Sequence, residues 1–322
     1  MKVNLSNDKP NVICLMGPTA SGKTRMAVEL VKRHPFQIVS VDSTQVYRNM
    51  DIGSGKPDEQ TLAIAPHRLI DFQDPCQPYS ASSFRKDALR EIKAVLDEGD
   101  TPLLVGGSML YFKVLRDGLA DMPNADSEVR HEIEALAQEE GWEAVHKELA
   151  SVDPISAARI HPNDPQRLQR ALEVFLVSGK SMTDLHREGH QEREESKSSL
   201  PVNLYFFAIR PPDRDGLYKQ IEQRFFAMLK IGLVEEVQRL YKRGDLHPLL
   251  PSIKSVGYRQ VWQYLAGELD YDVMVEKSII ATRQLAKRQL TWLRSWDNLK
   301  GLPDSSAKSV ESVLKYVDLI SI

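Results

Sequence analysis

Between positions 17 and 24 the chain reads Gly17-Pro18-Thr19-Ala20-Ser21-Gly22-Lys23-Thr24, which fits the pattern GxxxxGK[ST] throughout. Glycines in such a run let the backbone curl until successive N–H groups point at one anion. A helix starting there adds the partial positive charge of its N-terminus. Lys23 supplies a full charge, and the Thr24 hydroxyl is the type of ligand that holds Mg2+ beside a phosphate. A diphosphate or triphosphate site is expected, although the motif does not say whose phosphates bind. Two carboxylates could face it, Asp42 after the apolar run 38–41 and Asp71 after Leu69-Ile70. Motor and switch nucleotidases place an Asp at the end of an apolar strand to help hold Mg2+ and a water. Here the run 103–105 ends in Gly106-Gly107 instead. An Asp after the strand beside the cradle resembles small-molecule kinases, where it faces the phosphates across a substrate pocket. The plainer role for Asp42 is to cap the turn at Ser43-Thr44. For Asp71 a cap and an outer-shell Mg2+ role both stay open.

The elements that must position these groups are legible in outline. NVICLM at 11–16 is a short apolar run and reads as a buried strand. Residues 17–24 form a loop, and 25–34 have helical spacing that Pro35 closes. FQIVSV at 36–41, residues 67–72 and residues 103–105 read as further strands. Residues 80–98 carry an apolar stripe at Phe84, Ala88, Ile92 and Val95, with Gly99 as a stop. Strands alternating with helices predict an α/β fold, a parallel sheet flanked by helices with right-handed crossovers. From Arg116 the pattern changes. Residues 121–190 hold no convincing strand but several capped helical stretches, punctuated by Pro154, Pro162 and Pro165. LYFFAI at 204–209 returns as a strand, and a long helix follows through Ile221, Phe225, Met228 and Leu229. The expected organisation is a catalytic core of 1–118 and 200–322 with C-terminal helices, interrupted by an all-helical domain at 119–199. The polar stretch at 191–199 is expected to be a loop or hinge.

Composition excludes several classes. At 322 residues, 42% hydrophobic and 27% charged, the chain is that of a globular protein. Its longest uncharged runs, about a dozen residues, fall short of the ~20 that a membrane span needs. The polar start MKVNLSNDKP lacks the apolar stretch of a signal peptide. Two cysteines make no disulfide framework, and no Cys or His spacing suits a metal; Cys14, inside a strand, is expected to be inert. A cytoplasmic monomer is the expectation. Net charge is −3, but residues 121–198 hold 17 acidic and 9 basic side chains, leaving the remainder at +5. An acidic solvated helical surface is the plain account of that asymmetry.

Taken together, GPTASGKT, VDSTQVYRNMDIGSGKP at 41–57, PHRLID at 66–71 and VGGSMLYFKVL at 105–115 resemble the tRNA dimethylallyltransferases (isopentenyl-diphosphate:tRNA transferases). DPQRLQRALEV at 164–174, SVGYRQ at 255–260 and TRQLAKRQLTWLR at 282–294 extend the resemblance, in order, from about Asn11 to Trp296. It implies a P-loop-kinase-like core with a helical insertion. The implied reaction moves a dimethylallyl group from dimethylallyl diphosphate to the exocyclic amine of the adenosine 3′ to a tRNA anticodon. Mg2+ is the implied cofactor and the anticodon stem-loop the implied partner.

The resemblance also assigns roles. The cradle would stabilise the departing diphosphate, a task that chain-elongating prenyl synthases give to DDxxD motifs absent from this chain. Thr19 would donate its hydroxyl at the bridging oxygen and Arg224 would clamp the diphosphate. On the residues alone, a surface charge is an equal account of Arg224. Asp42 would accept the proton from the attacking amine, within a tRNA-contacting segment Asp42-Ser43-Thr44-Gln45. Gly106-Gly107-Ser108 would let backbone and a hydroxyl approach an extruded base; most family members carry Thr at Ser108. Gln166, Arg167, Leu168, Gln169 and Arg170 would meet the anticodon loop, with Arg130 as another contact. Candidates for phosphate contact are Lys254, Gly257, Tyr258 and Arg259, and then Arg283, Lys287, Arg288 and Arg294. On that last helix Leu285, Trp292 and Trp296 can face the core. Two other readings stand beside this one. A P-loop small-molecule kinase would use ATP as donor, and an NTP-dependent RNA-binding switch would transfer nothing.

Overall fold

The computed structural model describes residues 9–120, 122–195 and 200–320. The polar amino-terminal residues 1–8 lie outside them. The chain divides into two compact units, 1–117 with 200–322, and 118–199.

In the first unit, six strands of the described residues form one sheet: β1 Asn11–Met16, β2 Phe36–Val41, β3 His67–Arg68, β4 Thr101–Gly106, β5 Asn203–Ile209 and β6 Lys300–Leu302. Their order is β3-β2-β4-β1-β5-β6 and every pairing is parallel. Alternation at period two explains the layering. Val12, Cys14 and Met16 join one core with Val39, Val41, Leu104, Phe206 and Ala208. Ile13 and Leu15 join another with Ile38, Leu103, Val105, Phe207 and Ile209. With helices on both faces, the central strands β1, β2 and β4 are buried on both sides, so each reads as a largely apolar run.

The first core is covered by α3 (Ala81–Asp97) and α4 (Met109–Asp117), the second by α1 (Lys23–Val31); α2 (Glu59–Ile64) is a short exposed helix between them in sequence. The stripe Phe84, Ala88, Ile92 and Val95 is the buried face of α3, its N-cap is Ser80, and Gly99 follows at φ +84°. The third strand is shorter than expected. Leu69 and Asp71 take left-handed backbone angles, which end the ladder and send 71–73 back to bond with Gln45 and Val46. β6 was not anticipated, because three residues, one of them glycine, carry no period.

The second unit is all-helical: α5 (Ser127–Glu140), α6 (Trp142–Val152), α7 (Pro154–Arg159), α8 (Pro165–Ser178) and α9 (Met182–Glu195). Asp126, Asp153 and Asp164 cap α5, α7 and α8, and prolines open the latter two. Ile133, Val145, Leu149, Leu168 and Leu172 form its core. The stretch expected as a loop at 191–199 is helical as far as Glu195, since Glu and Arg favour helix; 196–199 lie outside the described residues.

After β5 the first unit adds α10 (Arg214–Lys230), α11 (Leu233–Tyr241), α12 (Tyr258–Leu265), α13 (Tyr271–Arg294) and α14 (Ala307–Ile320). α14 completes the α1 side, through Val310, Val313 and Val317. α10 to α13 enclose a further core around Val46, Tyr47, Met50, Leu233, Val237 and Tyr258. Among the described residues no helix is long and apolar enough to cross a membrane.

Candidate active site

β1 lies between β4 and β5, where the strand connections diverge to opposite sides, and ligands of open α/β sheets bind beyond the strand ends at such a point. Residues 17–22 leave β1 here. Ala20 is left-handed at φ 62°, and Gly22, the N-cap of α1, has φ 85°. Lys23 and Thr24 are the first residues of α1, so free N–H groups of the first helical turn face the same space. Lys23 Nζ donates to the Gly17 and Pro18 carbonyls at 2.9 and 2.7 Å. Burial pulls its ammonium down to about pKa 8, with Asp42 opposing and Arg224 reinforcing the shift.

Asp42 ends β2. Its Oδ1 accepts from the Thr44 and Gln45 N–H groups at 2.9 and 3.3 Å, so the cap role is real. One oxygen serves it, and the carboxylate still lines the cavity with Lys23, Thr24 and Arg224. Thr44 and Gln45 line the cavity too. Ser108 Oγ accepts the Ser43 N–H at 2.9 Å and is 3.2 Å from Ser43 Oγ, tying the β2 and β4 ends together.

Opposite the cradle runs a strap, residues 51–57. The buried Glu236 carboxylate accepts from the N–H groups of Asp51, Ile52 and Gly53 at 2.9, 2.8 and 3.1 Å, and from the Tyr258 hydroxyl at 2.6 Å. Tyr258 in turn accepts the Ser54 N–H. Three successive donors on one carboxylate hold the strap rigidly. Gly55, at φ +62°, gives Arg224 its room, because a Cβ there would overlap the guanidinium. Arg224 Nη1 reaches Thr19 Oγ1 at 3.5 Å. Its pKa is lowered by burial against the pull of Asp42, so an uncompensated cation points at the cradle. Lys56 Nζ binds Asp51, Asp71 and the Tyr47 carbonyl. Asp71 is therefore a structural partner of Lys56, outside the cavity lining.

The cavity has a volume of about 590 Å³. One side is polar and cationic; the other is walled by Ile221, Phe225, Met228, Leu233, Val256 and Leu285. It can hold a small anion with an apolar appendage. Gln289 of α13 bridges the Thr19 N–H and the Gly107 carbonyl, both at 2.9 Å. Gln289 and Glu236 escaped the sequence reading: one polar residue on an apolar helix face is the only local signal either gives.

Other expectations are corrected or qualified. The Leu168 and Tyr258 side chains are fully buried in their cores. Arg130 and Arg170 both bind Glu173, which is 0% exposed. Against the upward push of burial, their hydrogen bonds hold its carboxyl below the usual range. They tie α5 to α8 within the helical unit, with the Arg130 side chain still 43% exposed. Gln169 bonds Glu134, whereas Gln166 is exposed and Arg167 is 75% exposed on the first turn of α8. Gly257 lines the cavity, and Lys254, Arg259, Lys287, Arg288 and Arg294 are exposed or nearly so. Arg283 pairs with Glu222 over the Tyr218 ring. Trp292 is 37% exposed, not core; Ala286, Gln289 and Leu293 are the buried face, as the 3.6-residue period places them. Burial raises the Cys14 thiol, in keeping with inertness. Asp74, Cys76 and Asp245 bring possible metal ligands within 4.8 Å, but Arg243 bridges both carboxylates.

The family described as IPPT, IPP transferase, matches residues 45–296. The tRNA isopentenylpyrophosphate transferase of Bacillus halodurans is 33% identical over 97% of this chain and 97% of its own, with a TM-score of 0.69. The corresponding Staphylococcus epidermidis transferase is 30% identical over 96% and 99%, with a TM-score of 0.67. A eukaryotic dimethylallyltransferase acting on tRNA shares the fold, at a TM-score of 0.77 and 23% identity over 97% of this chain and 80% of its own. The cradle, its apolar-walled cavity and these matches lead to one statement: the chain belongs to the IPP transferase family of tRNA-modifying prenyltransferases.

Proposed function

We propose that this protein transfers the dimethylallyl group of dimethylallyl diphosphate to the exocyclic N6 amine of the adenosine 3′ to the anticodon in tRNA, releasing diphosphate. The observation that carries this reading is the convergence of Lys23, Thr19, Arg224 and Asp42 on one cavity with an apolar wall. A five-carbon chain would lose its apolar surface from water against that wall.

The C–O bond of the donor breaks with its electron pair going to the diphosphate, so negative charge grows at the bridging oxygen. Lys23, the N–H groups opening α1, the Thr19 hydroxyl and Arg224 are aimed at that growth, and such preorganised donors contribute about 2.7–4 kcal/mol each. The amine lone pair forms the new C–N bond, and its proton passes to Asp42. General-base help of this kind is worth about 10²–10⁴-fold. Residues 20–24 and Asp42 supply hydroxyl and carboxylate oxygens, a donor set that suits a hard divalent cation. Thr24 would hold Mg2+, which supplies further charge stabilisation when bound. In the helical unit, Gln166 and Arg167 are the exposed groups for an anticodon loop. Phosphate contacts fall to Lys254, Arg259, Lys287 and Arg288.

The test is incubation with dimethylallyl diphosphate, Mg2+ and an unmodified anticodon stem-loop, followed by mass spectrometry of the nucleosides. Addition of one C5H8 unit to a single adenosine is expected. Phosphate transfer from ATP with no alkylation would overturn the reading in favour of a kinase.

A further inference from the structure

Gln289 does nothing in the reaction as written, yet its burial and bonding are specific. It sits on the inner face of α13, 8% exposed. Its partners settle the orientation of the amide. The Thr19 N–H can only donate and the Gly107 carbonyl can only accept, so Oε1 must face the first and Nε2 the second. Gly107 admits the amide by lacking a side chain, since a Cβ there would stand 2.5 Å from Nε2.

Each arm leads to a reacting group. On one, Thr19 is held through its N–H, which leaves its hydroxyl directed toward Arg224. On the other, Gly107 adjoins Ser108, whose N–H donates to the Val41 carbonyl at 3.2 Å and whose hydroxyl takes the Ser43 N–H. That is the turn Asp42 caps. The amide thus spans the gap between the leaving-group grip and the proton acceptor. It also satisfies the Thr19 N–H with a protein oxygen, removing it from the donors offered to an anion.

Resting on the reaction given above, we propose that Gln289 is a positioning residue: it sets the separation of the Thr19–Arg224 pair from the Asp42 turn. Misplacing reacting groups by about 1 Å costs on the order of 10²-fold in rate. Diphosphate binding by Lys23 and the helix N-terminus would persist.

Steady-state kinetics of wild type, Gln289→Met and Gln289→Glu, with dimethylallyl diphosphate and the anticodon stem-loop, test this. Wild-type turnover tests the reaction itself, so the two ideas fail separately. Gln289→Met keeps length but makes no hydrogen bonds; kcat is expected to drop about 10²-fold, with both KM values within about threefold. Gln289→Glu keeps an acceptor for Thr19 but turns a second acceptor on Gly107. Protonated, its O–H restores the donor. Its kcat relative to wild type is therefore expected to rise as pH falls through the introduced carboxyl's pKa. Lys23, Asp42, Lys56, Asp58, His67 and Arg224 line the same cavity in both proteins, so their own titration is read from wild type. A Met variant with kcat within about threefold of wild type, a loss confined to KM, or a Glu variant with no rescue at low pH overturns the proposal. If the Met variant fails to fold, the pH profile of the Glu variant decides.

Discussion

Gly55→Ala tests the strap by adding one carbon. Gly55 has φ +62°, where an alanine is strained by about 1–2 kcal/mol. The new Cβ would overlap Arg224 Nη2. Non-bonded heavy atoms settle at about 3.5–4 Å, so the guanidinium must retreat by roughly 1.5–2 Å on that scale. The strap cannot yield in its place, because Glu236 grips three of its N–H groups. Arg224 then loses its approach to Thr19, and kcat should fall about 10²–10³-fold, as when one electrostatic donor to a transition state is removed. The strain alone should lower the melting temperature by roughly 2–8 °C. Steady-state kinetics and thermal melts of Gly55→Ala, Arg224→Ala and the double variant separate the causes. If the alanine acts through Arg224, the double variant is no slower than Arg224→Ala, within about threefold. Fully multiplicative losses, or a Gly55→Ala enzyme with wild-type kcat, would refute the reasoning.

Two further outcomes follow from the same site. Asp42→Asn keeps an acceptor for the Thr44 and Gln45 N–H groups, so the turn survives while the base is lost; turnover should fall about 10²–10⁴-fold with little change in stem-loop affinity, and an unchanged single-turnover rate would remove Asp42 from the mechanism. The Lys23 pKa of about 8, against an ordinary 10.5, separates activity from stability. kcat/KM for the donor should fall above about pH 8 as the ammonium is lost. Between those two values the unfolded chain binds more protons than the folded one, so this group's contribution to stability rises with pH there. A kcat/KM profile flat to about pH 9.5 would contradict the lowered pKa of Lys23.

Local order was written in the sequence wherever a short period or a cap carries it. The strands at 11–16 and 36–41, the α3 stripe with Ser80 and Gly99 at its ends, and the helical character of 127–178 depend on neighbours a few residues apart. The cradle is of the same kind, since eight consecutive residues and the helix they open contain its physics. What those residues could not reveal is which distant groups answer them. Glu236 meets the strap across more than 180 residues and Gln289 meets Thr19 across 270, and a buried polar side chain shows its partner only once the chain has closed around it. Arg130, Arg170 and Leu168 mark the reverse case. Their types and order suit a nucleic-acid surface, while the pairing of both arginines with Glu173 and the place of Leu168 in the core came only with packing. Sequence set the chemistry available at the cradle. Tertiary structure decided which charges stay uncompensated, because desolvation and pairing depend on what lies within a few ångströms in space rather than along the chain.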